Sequence, residues 1–262
     1  MQQGVTVRRA CHILEVSTSL LYYRAAPDHN QHLRQRLRAV ARPGLGYRMA
    51  RALLLPEWTR EFGPLNHKRV YRAWQQEQLT RKKIRKKRRT GAKVPVAATR
   101  VNQVWCLDFC HDACLNGTKL KVLAIKDEFT RECLNLEVDI RLNSHAVRHQ
   151  LQQLMAVRGA PEFVRCDNGP EFIARHLNIW LRSQGSQTQF IRPGSPWENG
   201  HAESFMARLR AECLDAEVFH NLADARLKLG LYRRYYNEQR PHSALGYIPP
   251  AQFAAQLKKE GG

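Results

Sequence analysis

Apolar positions recur at helical spacing up to Leu79, whereas from Val104 they alternate at strand spacing before the two patterns begin to take turns. In the first region, "VTVRRACHILEVSTSLLYYR" (5–24) predicts two short helices. Val7, Ala10, Cys11 and Leu14 share one buried face, and Ser17 caps a second helix that turns Leu20, Leu21 and Tyr23 toward the first. Helix, short turn, helix is a helix-turn-helix outline. "GLGYRMARALL" (44–54) opens another helical stretch. "NHKRVYRAWQQEQL" (66–79) follows, with Asn66 as cap, Val70, Trp74 and Leu79 inward, and Lys68, Arg69 and Arg72 outward. These two read as a second helix-turn-helix with a basic face.

The second region predicts strands over 104–113, 119–129 and 132–140, the first two joined by an Asn116-Gly117 hairpin turn. A helix over 144–159 runs from Ser144 as cap to Gly159 as stop. A fourth strand, "EFVRCD", leads into a helix over 170–185 that starts with proline, then a short strand over 188–191 and a helix over 200–214. Three antiparallel strands followed by helix–strand alternation make an α/β fold. The expectation is a mixed five-stranded sheet flanked by helices, ribonuclease-H-like, preceded by an all-α helix-turn-helix region.

Charge divides the chain at the same place. Residues 1–100 hold 23 Lys and Arg against 5 Asp and Glu, whereas 101–262 hold 20 against 18, within a net charge of +20. A basic front end joined to a near-neutral globular part points to a polyanion, and to nucleic acid rather than membrane, because the basic region lacks long apolar faces. "RKKIRKKRR" (81–89) has eight basic residues in nine, so Arg81, Lys82, Lys83, Arg85, Lys86, Lys87, Arg88 and Arg89 are candidate DNA contacts together with Lys68, Arg69 and Arg72. The expected division is a helical DNA-binding region over 1–90, a linker over 91–103, a catalytic core over 104–225 and a helical tail over 226–262. The cluster Cys106, Cys110, His111 and Cys114 reads as small apolar fillers along a strand, since none of the seven cysteines forms a CxxC pair. No apolar leader and no run of about 20 apolar residues occurs, so the chain reads as cytosolic with reduced thiols.

The candidate chemistry lies in carboxylates. Asp108 falls mid-strand between Trp105 and Phe109, where an aspartate is costly to bury unless it is paired or binds a metal. Asp167 ends the fourth strand, which neighbours the first in a ribonuclease-H-like sheet. Two adjacent carboxylates repel, and oxygen ligands suit Mg²⁺ or Mn²⁺. Glu203 supplies a third: it borders the apolar stripe Ala202, Phe205, Met206, Leu209 and Cys213 and shares a face with Arg210 seven residues on. The Gly/Pro loop 192–200 before it reads as mobile, with Trp197 either stacking on a base or propping the loop. Asp112, Asp127, Glu128 and Glu171 read as structural or turn residues. His145 and His149 read as surface residues, and His201 and His242 as possible DNA contacts.

"WCLDF" (105–109), "CDNGPEF" (166–172) and "PWENGHAESFMARLRAE" (196–212) resemble the three blocks of a DDE transposase or retroviral-integrase core. "GYRMARALL", "NHKRVYRAW" and "YYNEQRPHSALGYIPPAQF" (235–253) resemble the bacterial insertion-sequence transposases of the OrfB type, over almost the whole chain. The resemblance implies that Asp108, Asp167 and Glu203 hold two Mg²⁺ or Mn²⁺ ions and that Arg210 touches DNA. The implied reaction is metal-dependent 3′-end cleavage and strand transfer on double-stranded DNA, by a homo-oligomer in the bacterial cytoplasm, associated with the nucleoid. The retroviral zinc-binding His/Cys domain is absent. The group's active enzyme is usually a fusion with an upstream-frame product, and this chain is expected to be the catalytic half. The alternatives are a catalytically inert DNA-binding regulator and a nuclease or resolvase on the same fold. Removing residues 1–90 is expected to weaken DNA binding and flatten its salt dependence. A salt titration of binding to a labelled duplex checks this, and an unchanged slope defeats it.

Overall fold

The structure is a computed structural model that describes residues 5–24, 28–80, 97–192 and 199–260. Alternation in the second region builds β1 (Val104–Ala113), β2 (Lys119–Asp127) and β3 (Cys133–Asp139), and the later β4 (Phe163–Cys166) and β5 (Gln187–Phe190) complete a sheet of order β3-β2-β1-β4-β5. β1–β2 and β2–β3 pair antiparallel, and β1–β4 and β4–β5 pair parallel. The expected mixed five-stranded sheet is therefore present, with β1 at its centre. β2 stops at Asp127 rather than 129, because the buried Asp127 carboxylate accepts the backbone N–H groups of Asn102, Phe129 and Thr130 at 2.8–2.9 Å and turns the chain.

Each face of the sheet has its own core. Trp105, Leu107, Leu123, Ile125, Val164 and Cys166 point to one side, against α6 (Ser144–Arg158) and α8 (Arg175–Ser183). Leu120, Val122, Ala124 and Val138 point to the other, against α9 (Gly200–Leu209) and α10 (Leu222–Glu238). The sequence-expected helix over 170–185 is two: α7 (Pro170–Ile173) and α8 part at Ala174, where Asn178 Nδ2 donates to the carbonyls of Phe172 (3.0 Å) and Ala174 (3.1 Å). Asn143, not Ser144, caps α6, accepting from Ala146 N at 3.0 Å. The expected helix over 200–214 changes to a π-helical turn at Arg210–Leu214. α10 spans the expected boundary at 225/226 and buries Ala225, Leu229, Tyr232 and Tyr236 in the core of the sheet.

The front half has a separate core. Leu33 and Leu37 of α3 (Gln31–Val40), Ala50, Leu54 and Trp58 of α4 (Tyr47–Phe62) and Val70, Ala73 and Trp74 of α5 (His67–Gln76) pack together. Asn66 caps α5, accepting from Lys68 N at 2.8 Å. The sequence pattern did not expose α3, and it ended α4 too early. The two short helices α1 (Val7–Ile13) and α2 (Thr18–Leu21) do form, with Ser17 capping the second, but they do not bury the expected faces. Only Cys11 is buried, whereas Leu14, Leu20, Leu21 and Tyr23 are each about 60–70% exposed.

This helical module meets the sheet domain beside the tail. The Arg42 guanidinium lies 4.5 Å from the Tyr235 ring centroid. Gly44, with φ of +82°, passes so close to Glu212 that a Cβ there would stand 2.5 Å from Glu212 Cγ. Glu212 cannot yield, because Arg240 donates to both its oxygens at 2.7 and 2.6 Å and Tyr232 Oη donates at 3.3 Å. The Arg240 and Glu212 side chains are 2% and 6% exposed. Removing one partner of such a buried pair leaves an uncompensated charge. Glu212→Ala is therefore expected to cost about 3–5 kcal/mol of stability, read as a lower urea midpoint.

Candidate active site

The parallel pairing of β1 with β4 sets the site. Trp105 pairs with Val164 and Cys106 with Arg165, so the same register carried two residues on brings Asp108 abreast of Asp167. Laterally paired residues share a face, and Asp108 alternates with Leu107 and Phe109, which belong to the opposite core. Both aspartates thus lie on the face crossed by α9. Backbone donors orient them: Phe109 N donates to Asp108 Oδ1 at 2.8 Å, and Gly169 N to Asp167 Oδ1 at 3.0 Å. Gly169 allows the second contact, since a Cβ there would meet Asp167 Oδ1 at 3.0 Å.

Glu203 comes from α9. Ala202, Phe205 and Leu209 are buried against the sheet, and Glu203 stays exposed in the helix's first turn. Asn199 pins that end, donating from Nδ2 to Leu107 O at 3.1 Å, one residue from Asp108. Burial first, and then the charges of Asp167 and Glu203, push the Asp108 carboxyl up to about 6 against the opposing Phe109 N–H bond. The three carboxylates thus share one electrostatic environment. Among the described residues, no three His, Cys, Asp or Glu side chains are placed so that they could hold a metal ion together. The donor chemistry nonetheless fits a hard divalent cation, because it is all carboxylate and carries like-charge repulsion that a cation relieves. The cysteine cluster does not compete: burial pushes the Cys106 and Cys110 thiols up to about 12, which keeps them protonated.

The other sequence-identified residues separate clearly. Asp127 is the turn hub described above, and Glu128 pairs with the buried Arg165. Asp112 lies within β1 and accepts from Ala113 N, while Glu171, in the first turn of α7, pairs with Lys121. His145 stacks on His176 at 4.1 Å. His201 contacts Arg131, and His242 is buried beside Tyr236. Lys68 and Arg72 are exposed, but Arg69 turns back, donating to Asn30 Oδ1 (2.8 Å) and His29 O (2.9 Å), and so braces the helical module. Arg210 donates to His111 O at 3.0 Å. The run Arg81–Arg89, the loop residues 193–198 and Trp197 lie outside the described residues. Sequence reasoning missed Lys126, Arg131, Arg208 and Arg240, which gather beside Glu128 and Arg165 around a cavity of about 360 Å³.

The integrase core domain family matches residues 98–196 and 184–250. The chain is 39% identical to the 31.7 kDa protein of insertion element IS407 from Burkholderia multivorans, over 97% of this chain and 92% of that protein. It is 30% identical to the transposase InsD of insertion element IS2 from Escherichia coli, over 84% of this chain and 76% of that protein. The chain belongs to the integrase-core transposases of bacterial insertion sequences. Its fold is also like that of a chain of the simian T-cell lymphotropic virus intasome, with a TM-score of 0.51 at 15% identity over 77% of this chain and 73% of that one. This protein is accordingly a DDE-type DNA transposase, and the resemblance read from its three acidic blocks is correct at the level of family, fold and activity. No helix among the described residues is long and apolar enough to cross a membrane.

One pH effect follows from the transposase's tail. Burial, and then Arg240, Lys126, Arg208 and Arg131, push the His242 imidazole far below its ordinary 6.5. The folded protein then holds His242 neutral at a pH where the unfolded chain takes up a proton. Stability is expected to fall as pH drops below 6.5, by up to about 1.4 kcal/mol per pH unit from this group. His242→Phe should flatten that slope in urea melts at about pH 5 and about pH 7.

Proposed function

We propose that Asp108, Asp167 and Glu203 are the reacting carboxylates of this transposase and that two Mg²⁺ or Mn²⁺ ions bind among them. The observation that carries this reading is the β1–β4 register, which aligns two aspartates on the face where α9 presents Glu203. The reaction is hydrolysis at the element's end, which frees a 3′-OH, followed by attack of that 3′-OH on a second phosphodiester. No covalent enzyme intermediate is needed. Bound divalent ions supply positive charge at the attacking and leaving oxygens of an in-line displacement. The chain's own residues position. Asp108, within β1, and Asp167, directly after β4, are each held by a backbone N–H group, so their oxygens are aimed before substrate arrives. Glu203 approaches from a helix end that Asn199 ties to the same strand.

The substrates are double-stranded element ends and target DNA, in a homo-oligomer that includes or is fused to an upstream-frame product, in the cytoplasm at the nucleoid. Lys68, Arg72, Arg210 and the basic run 81–89 are the proposed DNA contacts. Asp108→Asn, Asp167→Asn and Glu203→Gln are each expected to abolish cleavage and joining while sparing DNA binding. A Mg²⁺-dependent strand-transfer assay on a labelled element end measures this. Joining by any one variant removes that residue from the reaction. Cleavage without joining by the native protein would indicate a nuclease instead, and binding without either an inert regulator.

A further inference from the structure

The face that carries the aspartates also carries a basic row. Cys106 pairs with Lys126 on one side and with Arg165 on the other, two residues from the row Ala124, Asp108 and Asp167. Two strand residues span about 7 Å. The turn after β2 adds Arg131, α9 adds Arg208 and the tail adds Arg240, and these five cations line the cavity with one carboxylate, Glu128. Two of the five are neutralised: Arg165 by Glu128 and Arg240 by Glu212. The remaining three form no salt bridge among the described residues, and the one carboxylate of the cavity, Glu128, which acts on Lys126 and Arg131 from a distance, is already paired with Arg165. Lys126 is 3% exposed and forms no ion pair with an acidic side chain among the described residues. Arg131 meets only the His201 ring, and Arg208 donates only to Ser204, at 2.8 Å to Oγ and 3.3 Å to O. Burying an unpaired cation is costly, and gathering three raises the cost by mutual repulsion. Burial, with Arg131 and Arg208 opposing the charge, draws Lys126 down to about 8.

The gathered cations exclude a metal ion and favour an anion. What the cavity fits is a compact anion with several acceptor oxygens, met by guanidinium forks and one ammonium. Its position narrows the choice. Met49, Gly200, Ser204, Arg208 and Arg240 line both this cavity and the groove that holds Glu203, so the two spaces adjoin. Successive phosphates of one strand lie about 3.4 Å apart along a duplex axis, so a site about 7 Å from the carboxylate row is within a nucleotide or two of it. We propose that the cavity formed by Lys126, Arg131 and Arg208 seats a backbone phosphodiester of the DNA strand whose neighbouring phosphodiester lies at the acidic row. This assignment rests on the catalytic reading for its orientation, but its binding chemistry can be tested apart from it.

The test uses the full chain without divalent metal, so catalysis does not enter. In a labelled duplex of the element end, the double variant K126M/R208Q is expected to lower the slope of log affinity against log salt by about two. Lys126→Met alone should raise the melting temperature of the free protein, because an unpaired buried charge becomes an apolar side chain of similar length. Inorganic phosphate should raise the melting temperature of the native protein and not of the double variant. An unchanged salt slope overturns the proposal. So does a lower melting temperature for Lys126→Met, which would make Lys126 a structural residue, and so does equal stabilisation of both proteins by phosphate. A phosphate effect lost in the variant without a change in slope would assign the cavity to a free phosphate and overturn the DNA assignment. Strand joining by Asp108→Asn would sink the catalytic reading and leave the slope result standing.

Discussion

The parallel, in-register pairing of β1 with β4 is the constraint from which the rest of the site follows. Parallel neighbours present paired residues on the same face, and the pairing of Cys106 with Arg165, continued two residues on, brings Asp108 beside Asp167, whose charge acts on it. A slip of one residue would turn one carboxylate into the opposite core, among Leu107, Val164 and Cys166, where a charge has no partner. The cores therefore protect the acidic pair. Packing on both faces fixes the register, and the register fixes the spacing of two like charges that would otherwise separate.

A second constraint acts at the far end of α9. Glu212 receives Arg240 from the tail and Tyr232 from α10, and meets the Gly44 backbone of the helical module. Three segments distant in the chain meet at one buried ion pair. The same helix carries Glu203 at its opposite end, so the module, the tail and the third carboxylate are mechanically linked through α9. The short π-helical turn at Arg210–Leu214 lies in that link, where an extra residue per turn reorients Glu212 relative to Glu203.

Much of this was legible in the sequence, and the parts that were not share a cause. Strands β1 to β4 were readable because their alternation is local, and Asp108 stood out because it interrupts an apolar strand. Glu203 was readable from its place beside an apolar stripe and from the resemblance of its block. The helix α3 was missed because only Leu33 and Leu37 mark its buried face amid Arg and Gln. The break between α7 and α8 depends on the Asn178 side chain reaching back to two carbonyls, and Arg69 was misplaced because its partners lie about 40 residues upstream. The exposed faces of α1 and α2 show the converse: amphipathic spacing states what a helix could bury, not whether a partner is there to cover it. Lys126, Arg131, Arg208 and Arg240 escaped for the same reason, since nothing in their spacing signals that strand, turn, helix and tail converge.

That convergence gives the sheet face an order that neither charge count nor motif conveys. Along β1, period-two alternation puts Cys106, Asp108 and Cys110 on one side. Across the sheet, Cys106 lies between Lys126 and Arg165, while Asp108 lies between Ala124 and the position of Asp167. Acidic and basic rows are thus separated by one pleat repeat, with Cys106 between the two cations of the basic row. The field on this face thus changes sign from one row to the next. The carboxylates alone would reject a phosphodiester. The cations beside them set an attractive field next to that repulsive one. In this arrangement the near-neutral total of residues 101–262 conceals two opposite local fields that lie one pleat repeat apart on a single face of the sheet.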